Sequence, residues 1–221
     1  TDYNHCDKGY YATPKTSSPK KKEYTLSKAN PGSNEEDLTL TLNLLPEKTV
    51  QLTITDNSGN RFEVPREALD PDFRTERLEE NDDLDLDDFV TVTEGAEKFS
   101  LTIHEYQNPD GPYFKINTDS LLFSDYFLSL ETEINSAKKL YGVGERVTSF
   151  FIEEGIYTTW SMDQTDPYDD GKHPGKNIYG SHPVYFTRTN TGKHWGMFNL
   201  NANAQDTKIK YSAGELGTQI S

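Results

Sequence analysis

Between residues 38 and 44 the chain reads Leu-Thr-Leu-Thr-Leu-Asn-Leu, a strict alternation of apolar and polar side chains. A period of two places every leucine on one side of an extended strand and every polar residue on the other. Such a strand is half-buried, and neighbours must supply its backbone partners. After a break at Pro46-Glu47, Val50, Leu52 and Ile54 repeat the pattern. Asp56-Asn57-Ser58-Gly59-Asn60 is a turn cluster, and Arg61-Phe62-Glu63-Val64-Pro65 resumes an extended run. Further strands are expected at Phe89–Thr93, around Phe99, Leu101 and Ile103, and at Tyr113–Ile116 after the turn Asn108-Pro109-Asp110-Gly111-Pro112. Phe127–Ile134 alternates again. Val184–Thr187 and Trp195–Phe198 flank Asn190-Thr191-Gly192 as the arms of a hairpin do. Gln205–Tyr211 is the last strand expected, and Gly214–Thr218 reads as a loop about to enter another. No window carries a period of 3.6 residues, and there is no internal repeat. The expected fold is mainly β, an antiparallel β-sandwich.

Residues 1–35 break this pattern. Ala12–Lys22 is rich in Pro, Ser and Lys, and Asn30-Pro31-Gly32-Ser33-Asn34 is turn chemistry, so this segment is expected to be a polar tether ahead of a domain over 36–221. Mean hydropathy is −0.83. Aromatics nevertheless make up 12% of the chain, far more than disordered chains carry, so a real core exists. The 22 basic against 37 acidic residues leave a net charge of −15. That charge disfavours nucleic acid, whose phosphates require a basic field, and anionic membrane surfaces for the same reason. No stretch approaches the ~20 apolar residues of a membrane span. Cys6 is the single cysteine, which excludes an internal disulfide and a thiolate metal site. The chain opens on Thr1 without an initiator Met and stops at Gln219-Ile220-Ser221 with no closing turn. It is expected to be a cut piece, incomplete at its C-terminal end.

The chemistry-bearing motifs are individually bland. Glu79–Asp88 holds seven acids in ten residues. It lacks the mid-loop glycine and distal glutamate of a calcium loop, and reads as a solvated acidic loop. Tyr141-Gly142-Val143-Gly144-Glu145 contains Gly-x-Gly without the third glycine or following helix of a phosphate cradle. These glycines are expected to let the chain turn sharply against its own sheet. His173, His182 and His194 have neither the spacing nor the partners of a zinc site, and no Gly-x-Ser-x-Gly elbow exists. No metal or cofactor is expected. Asp163, Asp166, Asp169 and Asp170 lie in a long irregular stretch from Trp160 to Lys176. Carboxylates on a loop make a poor frame for a nucleophile, but with a nearby Trp face they suit sugar hydroxyls and C–H patches.

Five segments occur in one order: Asn60–Pro65, Leu121-Leu122-Phe123-Ser124-Asp125-Tyr126-Phe127, Tyr141–Arg146, Asn177-Ile178-Tyr179-Gly180-Ser181-His182-Pro183 and Phe198-Asn199-Leu200-Asn201-Ala202-Asn203-Ala204. Over roughly residues 36–221 that order resembles the N-terminal part of the glycoside hydrolase family 31 α-glucosidases. The resemblance implies a β-sandwich packed on a (β/α)8 barrel that lies outside this chain. The barrel would carry an Asp nucleophile and an Asp acid/base, hydrolysing terminal α-linked glucose with retention. No catalytic residue is then expected here.

The resemblance also implies a substrate-binding loop, residues 157–177. In it Asp163 and Thr165 would bind the sugar on the leaving-group side, while Trp160 and Ser161 would shape the mouth. Met162 stands where the family usually has Arg or a small residue, and Asp166–Lys176 carries extra residues. The implied partners are the remainder of the enzyme, held non-covalently after a proteolytic nick, and an α-glucoside. The implied activity is exo-hydrolysis of α-1,4-linked glucose from maltose and malto-oligosaccharides, in a secreted, lysosomal or vacuolar setting. Two alternatives stay open. One is a free-standing carbohydrate-binding sandwich. The other is a different family 31 activity, such as α-xylosidase, α-glucan lyase or glycoprotein-trimming glucosidase.

Overall fold

The computed structural model describes residues 9–28, 37–59, 61–65, 68, 83–93, 99–124, 127–135, 137–161, 175–189, 192–212 and 215–220. The described residues are almost entirely antiparallel sheet, with three-residue 3-10 turns in place of helices. The chain divides into two compact units, Thr1–Tyr126 and Phe127–Ser221.

In the first unit, β1 (Tyr10–Ser17), β2 (Lys21–Lys28), β3 (Leu38–Leu45) and β4 (Thr49–Asp56) pair in chain order. The leucine stripe of β3 behaves as its alternation demands: Leu38, Leu40, Leu42 and Leu44 are buried, and the intervening residues are half-exposed. The Pro46–Lys48 turn sits at the Pro-Glu break and returns the chain to β4, pairing Leu44 with Val50 and Leu42 with Leu52. A second ladder joins β5 (Val90–Thr93), β6 (Ser100–Glu105) and β7 (Asn108–Asn117), and the two-residue β8 (Leu122–Phe123) follows. The two layers meet in a core where the Tyr24 and Phe99 rings lie 5.0 Å apart. The buried Thr118 hydroxyl donates to the carbonyl of Tyr10 at 2.7 Å.

The polar N-terminal stretch departs from expectation. Residues 10–28 form β1 and β2 rather than a tether, because alternation survives among the lysines: Tyr24 and Leu26 are buried while their neighbours face out. Pro14 is tolerated because β1 is the terminal strand of its sheet and its register shifts at Pro14/Thr16. Three further differences are local. Arg61–Pro65 is not in a ladder. The turn between β6 and β7 falls at Tyr106-Gln107, where Gln107 adopts φ 52°, so that Asn108 already pairs with Glu105. Residues 109–112, expected as the turn, are left in the register shift that follows. The described end of the acidic segment is anchored. Asp85 and Asp88 form a reciprocal capping box over a turn whose Leu86 is fully buried, and Asp87 pairs with Lys22.

In the second unit, β10 (Ala137–Arg146), β12 (Asn177–Thr189) and β13 (His194–Phe198) form one sheet. β11 (Gly155–Thr159), β14 (Gln205–Ser212), β15 (Glu215–Ile220) and β9 (Leu128–Asn135) form a second antiparallel run. The expected hairpin exists, with Val184 opposite Phe198 and Arg188 opposite His194. Residues 215–218 lie inside a strand, not in a loop before one. The strands β10 and β11 carry no clean alternation and were not expected. Tyr211 and Leu140 tie the two sheets through Ile152: the Tyr211 hydroxyl donates to the Ile152 carbonyl at 2.8 Å, and Leu140 bridges Ile152.

Candidate functional site

The stretch expected to carry substrate contacts leaves the sheet at the end of β11 and returns at the start of β12. Trp160 and Ser161 are described and exposed, with Trp160 at 63% of its full accessibility. Asp163 and Thr165 lie outside the described residues, as do Asp166–Pro174. The structure therefore places two of the four expected residues, and it shows in detail how both ends of the segment are held.

Asn177 opens β12 and is buried. Its Oδ1 accepts the Trp160 backbone N–H at 2.8 Å, and its Nδ2 donates to the carbonyls of Gly180 at 2.8 Å and Glu145 at 3.2 Å. One amide thus ties the strand that precedes the loop to the strand that follows it. Arg146, at the end of β10, makes a second tie. Nε donates to Val143 O at 2.8 Å, Nη1 to Gly175 O at 2.9 Å and Nη2 to Thr158 O at 2.5 Å. Its guanidinium also lies 5.2 Å from the centroid of the Tyr157 ring. Burial draws the Arg146 pKa below the ordinary arginine value, but three carbonyls facing the fork suit a cation. Tyr157 is fully buried, and desolvation pushes its phenol up to about 12. The phenol donates to Glu153 O at 2.9 Å and accepts the Glu153 N–H at 3.1 Å.

The Gly-x-Gly motif explains why these groups converge. Gly142 has φ +123°, and a Cβ there would stand 2.3 Å from the Val184 carbonyl oxygen. Only glycine lets β10 approach β12 this closely. The β10–β12 register shifts between Gly142 and Gly144 and again between Gly144 and Arg146. Those bulges re-aim the strand end. Glu145 then accepts the Gly180 N–H at 2.8 Å, and Arg146 faces the loop ends. The motif is a structural device and not a phosphate cradle. In sequence Arg146 and Asn177 stand out only as marks of family resemblance. The available signal is an Arg two residues after the second glycine and a polar Asn opening an otherwise apolar strand start.

A second feature lies on the outward face of the β10–β12–β13 sheet. Phe150, Tyr141 and Phe186 stack in a row, at 5.5 and 5.9 Å between centroids and 15° and 20° between planes. Lys139 sits 3.8 Å from the centroid of the Phe151 ring. A groove of about 540 Å³ runs beside these rings, with Arg188 and His194 also lining it. Phe150 is 74% exposed, and Phe198 on the same sheet 56%. Among the described residues, no group of three or more His, Cys, Asp or Glu is placed to hold a metal ion. Among them too, no helix is long and apolar enough to cross a membrane.

An antiparallel β module that fixes both roots of an aromatic-bearing loop, and presents a broad aromatic face, is the class of protein defined so far. Residues 8–206 match the glycosyl hydrolase 31 N-terminal galactose mutarotase-like domain, and the chain belongs to that family. It is 29% identical over 195 residues to a probable alpha/beta-glucosidase of Arthroderma benhamiae, covering 84% of this chain and 21% of that protein. It is 30% identical to the lysosomal acid alpha-glucosidase of Tetrahymena pyriformis, covering 74% of this chain and 17% of that protein. With the lysosomal alpha-glucosidase of Bos taurus the figures are 31%, 85% and 19%. The chain therefore spans only about a fifth of the length of these relatives. Among solved structures, the glucosidase II alpha subunit bound to Glc1Man2 shares the fold, with a TM-score of 0.65 at 12% identity over 98% of this chain and 31% of that one. Among the described residues there is no (β/α)8 barrel.

Proposed function

We propose that this chain is the N-terminal part of a retaining, exo-acting α-glucosidase that releases terminal α-1,4-linked glucose from maltose and malto-oligosaccharides. In this reading the bond-breaking carboxylates belong to polypeptide outside the chain. The β module supports that polypeptide and supplies residues 157–177 to the substrate mouth. Asp163 and Thr165 would accept and donate hydrogen bonds to the sugar on the leaving-group side, with Trp160 and Ser161 as the wall. The observation that carries the reading is the double tie of Arg146 and Asn177 across the loop roots in a chain of this family. A loop whose ends are held by four side-chain hydrogen bonds has a defined exit direction, as a specificity element needs.

The aromatic face supports the partner half of the proposal. Phe150, Phe186 and Phe198 leave large apolar side chains exposed, the kind of surface that a partner covers. The remainder of the enzyme is the occupant that the length of the relatives points to. A secreted or lysosomal setting accords with two relatives that bear lysosomal names. The test is kinetic. The full-length protein should hydrolyse maltose, and residues 1–221 alone should not. Asp163→Asn should raise KM for maltose by about tenfold or more, the cost of one lost charge-assisted hydrogen bond. Maltose cleavage by the purified 221-residue chain would refute the proposal. Binding of glycans by that chain alone at millimolar affinity or better would favour a free-standing carbohydrate-binding module.

A further inference from the structure

We infer that Arg146 and Asn177 are positioning residues for substrate recognition, acting through Trp160. The inference rests on the reading that Trp160 lines the substrate mouth, and it adds the parts that hold the indole in place.

Trp160 follows β11 directly, and its side chain is largely exposed, so side-chain packing does little to hold it. Its backbone is held instead. The Asn177 carboxamide accepts its N–H, and the same carboxamide is locked by donating to two carbonyls. A locked acceptor fixes the peptide plane of Trp160 and so the direction in which its Cα–Cβ bond points. Arg146 fixes the residues on either side. It grips Thr158 O, two residues before Trp160, and Gly175 O, two residues before Asn177. Both carbonyls lie on the fork of one planar group, so the separation of the loop roots is set by guanidinium geometry rather than by a flexible ammonium. The floor beneath is rigid, since Tyr157 is fully buried and pinned by both backbone groups of Glu153. Gly175 must also be glycine. Its φ is +73°, and a Cβ would stand 2.5 Å from Val147 O, so the conformation that brings its carbonyl to Arg146 is one a side chain would strain. Small misplacements of binding groups are costly to recognition, so these distant hydrogen bonds should be visible in substrate kinetics.

The test uses the full-length protein with four substitutions: Asn177→Ala, Asn177→Asp, Arg146→Lys and Trp160→Ala. Two readouts are taken, hydrogen exchange at the Trp160 amide and the KM and kcat for maltose. Asn177→Ala should speed Trp160 exchange by about tenfold or more, and Asn177→Asp, which keeps the acceptor but turns a carboxylate on the Glu145 and Gly180 carbonyls, should fall short of the parental protection. Asn177→Ala and Arg146→Lys should raise KM about tenfold, with kcat changed by less than about threefold. Exchange in β14 should stay at the parental rate, which separates loss of positioning from loss of fold. Unchanged Trp160 exchange in Asn177→Ala overturns the inference. So does a parental KM in Asn177→Ala and Arg146→Lys when Trp160→Ala itself raises KM. If Trp160→Ala leaves KM unchanged, the reading of the loop as substrate mouth falls, and the inference falls with it.

Discussion

Gly142→Ala isolates the contact on which the second unit turns. The methyl would meet Val184 O at 2.3 Å, the Tyr185 Cα at 2.9 Å and the Val184 carbonyl carbon at 3.2 Å. All three are backbone atoms of β12, so no side chain can rotate away. Two costs add. An L-residue at φ +123° costs about 1–2 kcal/mol or more, and forcing a methyl into a closed backbone contact costs about 1–3 kcal/mol. Their sum of roughly 2–5 kcal/mol corresponds to a fall in Tm of about 5–20 °C for a chain of this size. Gly192→Ala is the matched control in the same unit. Its φ is +85°, but the nearest atom to a new Cβ is the flexible Arg188 Nη2 at 3.8 Å, so only backbone strain applies. That variant should lose about 1–2 kcal/mol. Thermal and urea unfolding, followed by near-ultraviolet circular dichroism, measure both. If Gly142→Ala and Gly192→Ala were equally stable, close approach of β10 to β12 would not be what the glycine provides.

His104 and Tyr157 give two further expectations. His104 is buried, its Nδ1–H donating to Glu105 O at 2.9 Å and its Nε2 accepting from Thr91 Oγ1 at 3.1 Å, and desolvation lowers its pKa below the ordinary 6.5. The unfolded chain then binds the proton first as pH falls. The folded state should lose stability as pH drops below 6.5 until the lowered folded pKa is passed, and His104→Asn should flatten that part of the denaturant-midpoint profile; an unaltered slope would refute the assignment. Tyr157→Phe removes the group that satisfies both Glu153 N–H and C=O, and should cost about 1–3 kcal/mol of stability in urea unfolding, with a loss below 0.5 kcal/mol counting against the bond.

What could be read from sequence, and what could not, divides by the range of the interaction. The leucine stripe of β3 is local: its period is complete within seven residues, so burial of Leu40 and Leu42 follows from the chain alone. The β12–β13 hairpin is nearly as local, since Asn190-Thr191-Gly192 lies between its arms. β1 and β2 are masked by composition: the lysines at 20–22 hide an alternation in which Tyr24 and Leu26 face one way. The site is legible only in part, for a different reason. Trp160 and Ser161 are suggested by resemblance, but the groups that root the loop come from three places 12 to 32 residues apart. No periodicity links Arg146 to Gly175. What brings them together is the pair of bulges at Gly142 and Gly144, which swing the end of β10 against β12. A hydrogen-bond knot of this kind is encoded by register, and register is a property of paired strands rather than of either strand alone. Gly142, Gly144, Glu145, Arg146 and Asn177, which carry family resemblance here, are thus accounted for by loop geometry.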